Sequence, residues 1–414
     1  MTRLHIKKSQ IIAVGIVILI GISPKHQDIV FGANIDLQPL AKMDGAKFTD
    51  WRLRWERNIL GEASHDYCSR ETGEDMGWLM FPLLKGFYYG YLATGNQIWP
   101  DLLTRCTDNW IKRAIVEPDG YVGWPKVGAA GANNIDHLDE FYADSLLGEA
   151  MVLHYVVLMS GEILKTRGLE ERFGTGARTY IELAERVFEK WDKRGAWRDT
   201  ADGGNVTVEL PFGIDKRTGA WTDGYQGRYS MTVGFSHQDN KANLIACWLV
   251  AMFDVTHKPI YKERAEKWFR VMKSRMHLNN DGTFQIWSYW EPAGEWDYKL
   301  PSLRLWPKHW IGVHPKAGYY DIDVEAIATA YEHGLIFDRN DVRHLVDTAI
   351  ADRRYWIGLV PYNNAIQTEF EDHNDPTTWG GLSSTPWYLA LQKRFFPETP
   401  GADSSNAPSN KPFR

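Results

Sequence analysis

The chain has 414 residues, 44% hydrophobic and 24% charged, with a formal net charge of −6. It can therefore bury a large core, and it is neither a disordered polyelectrolyte nor a general nucleic-acid binder, whose affinity rests on clustered Lys and Arg. Three cysteines, Cys68, Cys106 and Cys247, exclude a disulfide-dense scaffold, although one Cys68–Cys106 bridge is compatible with them and Cys247 reads as a small core residue.

The first residues read as an export signal. Arg3, Lys7 and Lys8 precede an apolar run from Ile11 to Ile22, long enough for a signal-peptide core and short of the ~20 residues that cross a bilayer. Residues 1–33 are expected to form a signal peptide or, alternatively, a retained anchor, which implies a secreted or periplasmic protein. No later segment is expected to span a membrane. Residues 34–396 form one domain, and the Pro/Ser/Asn-rich residues 397–414 a disordered tail.

Within the domain a helical theme recurs. An apolar helix over Gly77–Thr94 is followed by a charged one from Ile98 to Ala114; an apolar run from Phe141 to Met159 turns at Ser160-Gly161 into a charged stretch reaching Arg194. The segment "GFSHQDNKANLIACWLVAMFDVTHKP" begins at Gly234, and Pro259 opens the charged helix after it. Val324–Leu335 and the following "DVRHLVDTAIADRRYW" make a fourth pair, and Pro386–Phe396 a last helix. Helices apolar nearly all round are buried between neighbours, whereas one-sided helices form an outer layer. The fold class expected is all-α, an α/α toroid: an incomplete barrel of helical hairpins. Short turns near 95, 160, 257 and 337 mark one end. The long connections 115–138, 195–235, 278–317 and 356–383 mark the other, where function concentrates. Residues 279–290 (NNDGTFQIWSYW) read as a turn and strand, placing a small β-hairpin region on that face.

Polar residues gather in those connections. Asn133, Asn134 and His137 precede the second inner helix; Arg228, Tyr229, His237, Gln238 and Asn240 precede the third; Trp287, Tyr289, Tyr298, Arg304, His309, His314, Tyr319 and Tyr320 precede the fourth. Blander roles compete at each position. Ser236 or Asp239 fits a helix N-cap, Asn133-Asn134 a turn, and His309 or His314 a packed histidine. Glu291, Glu295 and Asp297 are expected to face solvent. Asp136, His137, Asp139 and Glu140 lie close together, yet no metal-binding spacing, phosphate-binding loop, dinucleotide fingerprint or nucleophile elbow is present, so no cofactor is expected. Asp139, Glu140, Asp144, Asp239, Asp321, Asp323 and Glu325 keep open a hydrolase, which needs two carboxylates about a scissile bond.

Asn, His, Arg and Tyr together suit β-elimination of a uronic acid sugar. The C5 proton becomes acidic when the adjacent carboxylate is neutralised, and side-chain donors then stabilise the enolate-like charge. A neutral His can serve as base, and a Tyr as base or acid where cations depress its pKa from about 10. The 19 Trp, 19 Tyr and 17 Phe agree with this direction, because most pack the core but a surplus on that scale also suits stacking on sugar faces.

The stretches "GFSHQDNKAN", "SYWEPAGEWDY" and "HWIGVHPKAGYYDID", with the helical pairs from about 45 to 396, resemble the α/α-toroid polysaccharide lyases that cleave alginate and glucuronan, nearest to polysaccharide lyase family 38. The resemblance implies a catalytic His and Tyr in a central groove, with Asn and Arg at the substrate carboxylate. Those roles fall here on His237, on Tyr298 (with Tyr289 the other choice), on Asn134 and on Arg304. Tyr289, Arg228, Gln238, Asn240, His309, His314, Trp287, Tyr320 and His137 would bind substrate. The expectation is thus a lyase acting on an acidic polysaccharide, glucuronan or alginate, without a nucleic-acid or membrane partner. A hydrolase of uronic-acid oligosaccharides and a non-catalytic polysaccharide-binding protein are the rivals.

Overall fold

The computed structural model describes residues 59–61, 63–127, 141–210, 213–215, 218–222, 234–282, 288–299, 304–305 and 317–351, all within the compact unit Leu40–Arg414. The expected signal segment, the tail and the helix at 386–396 lie outside the described residues. The described chain is mostly helical with small antiparallel β elements, which supports the all-α expectation at that level. After a one-turn helix at Tyr67–Arg70 come α1 (Gly73–Thr94), α2 (Ile98–Ile111), α3 (Leu146–Lys165), α4 (Arg167–Lys193), α5 (Asp239–Thr256), α6 (Pro259–Arg275), α7 (Ala317–Glu332) and α8 (Arg339–Ala351).

The two helix types are built as their sequences demand. In α4 the buried residues Leu169, Phe173, Ala177, Tyr180, Ala184, Val187 and Trp191 recur every three or four positions and make one apolar stripe. In α5 every residue from Asp239 to Met252 is buried. Each consecutive pair packs as a hairpin, and the first helices pack on one another in order, α1 on α3, α3 on α5, α5 on α7. These first helices run parallel. Near their N-termini Lys241 meets Glu74 and Asn243 meets Asp323; near their C-termini His333 Nε2 lies 2.7 Å from Asp254 Oδ2. Lys85 of α1 reaches Glu325 of α7 at 2.6 Å, so the first and fourth hairpins also meet through side chains.

Several boundaries differ from the sequence expectation. The run from Phe141 does not start a helix: Phe141–Ala143 is strand β4, and α3 begins only after Ser145, whose hydroxyl caps Gly148 N at 3.1 Å. Nor do Ser160 and Gly161 form a turn. Ser160 Oγ donates to Val156 O at 2.7 Å, and Gly161 sits where a Cβ would come within 2.8 Å of Val255 Cγ2. That glycine serves close helix packing, and α3 continues to Lys165. The result is a 20-residue helix long and apolar enough to cross a membrane, contrary to expectation, but 89% of its apolar window is buried within the protein.

Eight short strands occupy the connections before α3 and α5: β1 (Ile115–Val116) pairs with β2 (Val122–Gly123), and β5 (Trp197–Asp199) with β6 (Asn205–Thr207). A four-stranded sheet has the order β3 (Lys126–Val127), β4, β7 (Gly213–Asp215), β8 (Trp221–Thr222). Of the turn and strand expected at 279–290, the turn falls at Asn280-Asp281, and residues 283–287 lie outside the described residues; β9 (Tyr298–Lys299) and β10 (Arg304–Leu305) pair further along. The Cys68–Cys106 disulfide is formed and Cys247 is a buried thiol.

One buried ionic cluster anchors the β1–β2 hairpin to α3 and α4. Lys190 Nζ contacts Asp144 Oδ2 at 2.5 Å and Glu149 Oε1 at 2.6 Å and donates to Val122 O at 3.0 Å. Arg194 adds Glu117 and Asp119, each at 2.8 Å. Burial opposes the Lys190 charge, but Asp144, Glu149 and Glu117 together outweigh it and hold its pKa above the usual lysine value.

Candidate functional site

The polar mouth of α5 is not an ordinary cap. Gln238 occupies the N-cap position and its side chain makes no capping hydrogen bond. Ser236 instead turns to the 288–299 segment: its N–H donates to Asp297 Oδ1 at 2.6 Å and its hydroxyl to Asp297 Oδ2 at 2.8 Å. Trp290 Nε1 donates to Ser236 O at 2.7 Å and Trp296 Nε1 to Ser236 Oγ at 2.8 Å. Asp297, expected at the surface, is therefore fully buried, because it serves as the acceptor of this clasp. The clasp ties the chain just before His237 to the chain just before Tyr298.

Around it, other side chains converge from the N-terminal ends of three parallel helices. Asp239 pairs with Arg275, whose Nη2 also donates to Glu291 O at 3.1 Å. Asp239 N donates to Tyr289 O at 3.0 Å. Lys241 Nζ lies 2.7 Å from Glu74 Oε1, an atom that also accepts from Trp78 Nε1 at 2.9 Å. The Tyr289 ring stacks on Tyr319 at 5.5 Å, and Tyr319 lies 6.3 Å from Trp78. One helix turn further in, Asn243 donates to Asp323 at 2.8 Å and accepts from Trp268 at 2.7 Å.

His237 is 7% exposed. Its Nδ1 lies 3.0 Å from Thr207 Oγ1, and its N–H donates to Thr207 O at 2.9 Å. Burial, then the Lys241 charge, lowers its pKa to about 3, so the ring is neutral at ordinary pH. Burial likewise pushes Asp239 up to about 8 despite Arg275, with Asp323 and Glu291 adding to the rise. The Tyr289 phenol is pushed far above the usual value by burial, followed by Tyr319, Asp323, Glu74 and Asp239.

Asn240 is completely buried, yet neither its amide oxygen nor its nitrogen has a hydrogen-bond partner, and the same holds for Asp239 Oδ2. Buried polar atoms normally find partners, and each one left over costs about 1–3 kcal/mol. Hydrogen-bonding capacity is thus unspent at this mouth.

Among the residues singled out from sequence, His237, Gln238, Asn240 and Tyr289 meet here. Tyr298 is 40% exposed and opens β9, and Arg304 of β10 pairs with Lys299 of β9; among the described residues no hydrogen bond joins Tyr298 to His237. Tyr320 lies in the first turn of α7. Asn134, His137, Arg228, Trp287, His309 and His314 lie outside the described residues, as do Asp136, Asp139 and Glu140. Of the hydrolase carboxylates, Asp144 belongs to the Lys190 cluster and Glu325 is paired with Lys85. No group of His, Cys, Asp and Glu among the described residues has the makings of a metal site. Sequence reading passed over Glu74, Lys241 and Thr207. Lys241 carried a signal, as a lysine in the first turn of a helix apolar from Leu244 onward.

No family model, no curated protein and no solved structure matches the chain.

Proposed function

We propose that the chain is an α/α-toroid lyase that cleaves a uronic-acid polysaccharide, glucuronan or alginate, by β-elimination. The parallel first helices and the Lys85–Glu325 contact between the first and fourth hairpins support an incomplete barrel of helical hairpins with the α5 mouth at one end. The observation that carries the reading is the meeting of a neutral histidine, an unpartnered buried amide and a cation with stacked aromatic rings, in His237, Asn240, Lys241, Tyr289 and Tyr319. In the proposed reaction the cation and amide offset the uronate carboxylate while the C5 hydrogen leaves. The Tyr289 phenol, kept protonated by burial, suits protonation of the departing glycosidic oxygen. His237 and Tyr298 are the candidate bases.

The raised pKa of Asp239, about 8, favours one rival, since a carboxylic acid protonated at neutral pH is what a glycoside hydrolase uses as its acid. One assay separates the two. Purified protein is mixed with glucuronan, polymannuronate and polyguluronate, and ultraviolet absorbance and reducing ends are followed together. The lyase gives both signals, because its product carries a conjugated double bond. New reducing ends without absorbance would transfer the assignment to hydrolysis, and neither signal on any uronate would remove the enzyme reading.

A further inference from the structure

Among the described residues, the buried apolar positions of α7 are Val324, Ala326, Ile327, Ala328 and Ala330, and the three alanines bury little area each. Polar ties to the other inner helices add to this packing. Asp323 accepts from Asn243 of α5, and Glu325 from Lys85 of α1 and Tyr155 of α3. At the far end of the helix, away from the mouth, His333 meets Asp254 of α5. His333 directly follows α7, and its two ring nitrogens face two oxygens: Nδ1 lies 2.7 Å from Thr329 O and Nε2 lies 2.7 Å from Asp254 Oδ2. A carbonyl oxygen can only accept, so Nδ1 carries a hydrogen and donates it. The Nε2–Asp254 contact needs a hydrogen as well, whether it sits on the ring or on the carboxyl. The pair thus holds one proton more than a neutral imidazole and a carboxylate do. Without it, a bare ring nitrogen and a carboxylate oxygen face each other at hydrogen-bond distance with nothing between them.

The surroundings favour the protonated pair. His333 lies at the C-terminus of α7, where the helix dipole stabilises a cation, and Asp254 lies in the last turn of α5, where the dipole opposes a carboxylate without a cation beside it. Among the described residues no Lys or Arg pairs with Asp254. The charged groups that His333 feels are acidic, Asp254 from α5 and Glu332 from its own helix. From α1, Tyr88 lies near Asp254 and near Glu162 of α3; burial, then Glu162 and Asp254, raises its phenol to about 12, so it stays neutral. The hydrogen bond to Asp254 leads in holding the His333 pKa above its usual 6.5, against burial.

We propose that His333 and Asp254 form a proton-operated latch: with its proton the pair fastens the C-terminal end of α7 to α5, and loss of the proton releases the turn that leads into α8. Below pH 6.5 a released histidine binds the proton too, so the latch is fully made there, and it is lost as pH rises through the raised value. The release is local. Toward the mouth α7 stays tied through Glu325 and Asp323, so Tyr319 keeps its place. The latch therefore stands apart from the lyase reading, and no substrate is needed to test it.

Two measurements on the full chain decide it. Nitrogen NMR of histidine-labelled protein follows the His333 ring, which is expected to titrate above 6.5 and to return toward 6.5 in Asp254→Asn. Hydrogen exchange, corrected for its intrinsic dependence on pH, follows the amides of residues 329–338. Their opening is expected to grow by ~10-fold per pH unit across the His333 transition, as loss of one proton requires, while the amides of α3 stay as they were. Gln in place of His333 offers Asp254 a donor that does not titrate, so in His333→Gln the protection is expected to remain and its pH dependence to vanish. A ring that titrates at or below 6.5 overturns the proposal. So does equal protection of these amides on both sides of the transition, or a pH dependence that persists in His333→Gln. Should Asp254→Asn not fold, the wild type and His333→Gln carry the test.

Discussion

Two buried polar clusters occupy the same end of the helical hairpins, and they are finished differently. In the cluster around Lys190 nearly every charge meets its opposite: the ammonium touches two carboxylates and a carbonyl, and Arg194 takes two more carboxylates, leaving only Glu117 Oε1 without a partner. At the α5 mouth Asn240 keeps both amide atoms unpartnered and Asp239 one oxygen. A set of buried polar groups that satisfies itself holds a fold together. One that does not satisfy itself costs stability, and that cost persists where the groups serve something other than the fold.

The comparison breaks first at Lys190. Lys190→Met leaves Asp144, Glu149 and Glu117 buried without their shared cation, and removing one partner of a buried ion pair costs about 3–5 kcal/mol. Urea unfolding is expected to show that loss; a change below about 1 kcal/mol would mean that the cluster is not structural. The site side responds in rate. His237→Ala, Tyr298→Phe and Tyr289→Phe are each expected to lower turnover on the uronate substrate by ~10²-fold or more with the fold retained. Near-normal turnover in folded Tyr298→Phe would move the base from Tyr298 to another group.

A smaller effect separates the two clusters from the core between them. His154 is buried beside Tyr155, its rings 4.5 Å apart, with Nδ1 unpartnered. Burial, then Lys85, lowers its pKa from 6.5 to about 3. As pH falls below 6.5 the unfolded chain takes the proton first, so stability declines from there down to about pH 3. His154→Phe is expected to remove one proton's share of that slope, about 1.4 kcal/mol per pH unit. An unaltered slope would show that His154 charges freely in the folded protein.

The helical pairs were readable because burial leaves a local mark: one stripe on α4, an apolar surface all round on α3 and α5. Gly95 at φ 65° and Pro259 at the first position of α6 likewise do what their chemistry dictates. Gly161 misled for a physical reason, since a glycine that ends a helix and a glycine that admits a neighbouring helix look alike in sequence. The site was legible only as a polar cluster before α5. What organises it, Lys241 with Glu74 and Ser236 with Asp297, joins residues 167 and 61 positions apart, and only the packing of hairpins brings them together.

The contrast between a spent and an unspent cluster is tested most directly by the unfolding free energy of Asn240→Leu, measured beside the wild type. Because Asn240 has no partner to lose, the variant is expected to be as stable as the wild type or more so by about 1 kcal/mol, an apolar group replacing an unsatisfied one. A loss of 2 kcal/mol or more, on the scale of a broken buried hydrogen bond, would show that Asn240 serves the fold and would contradict the account.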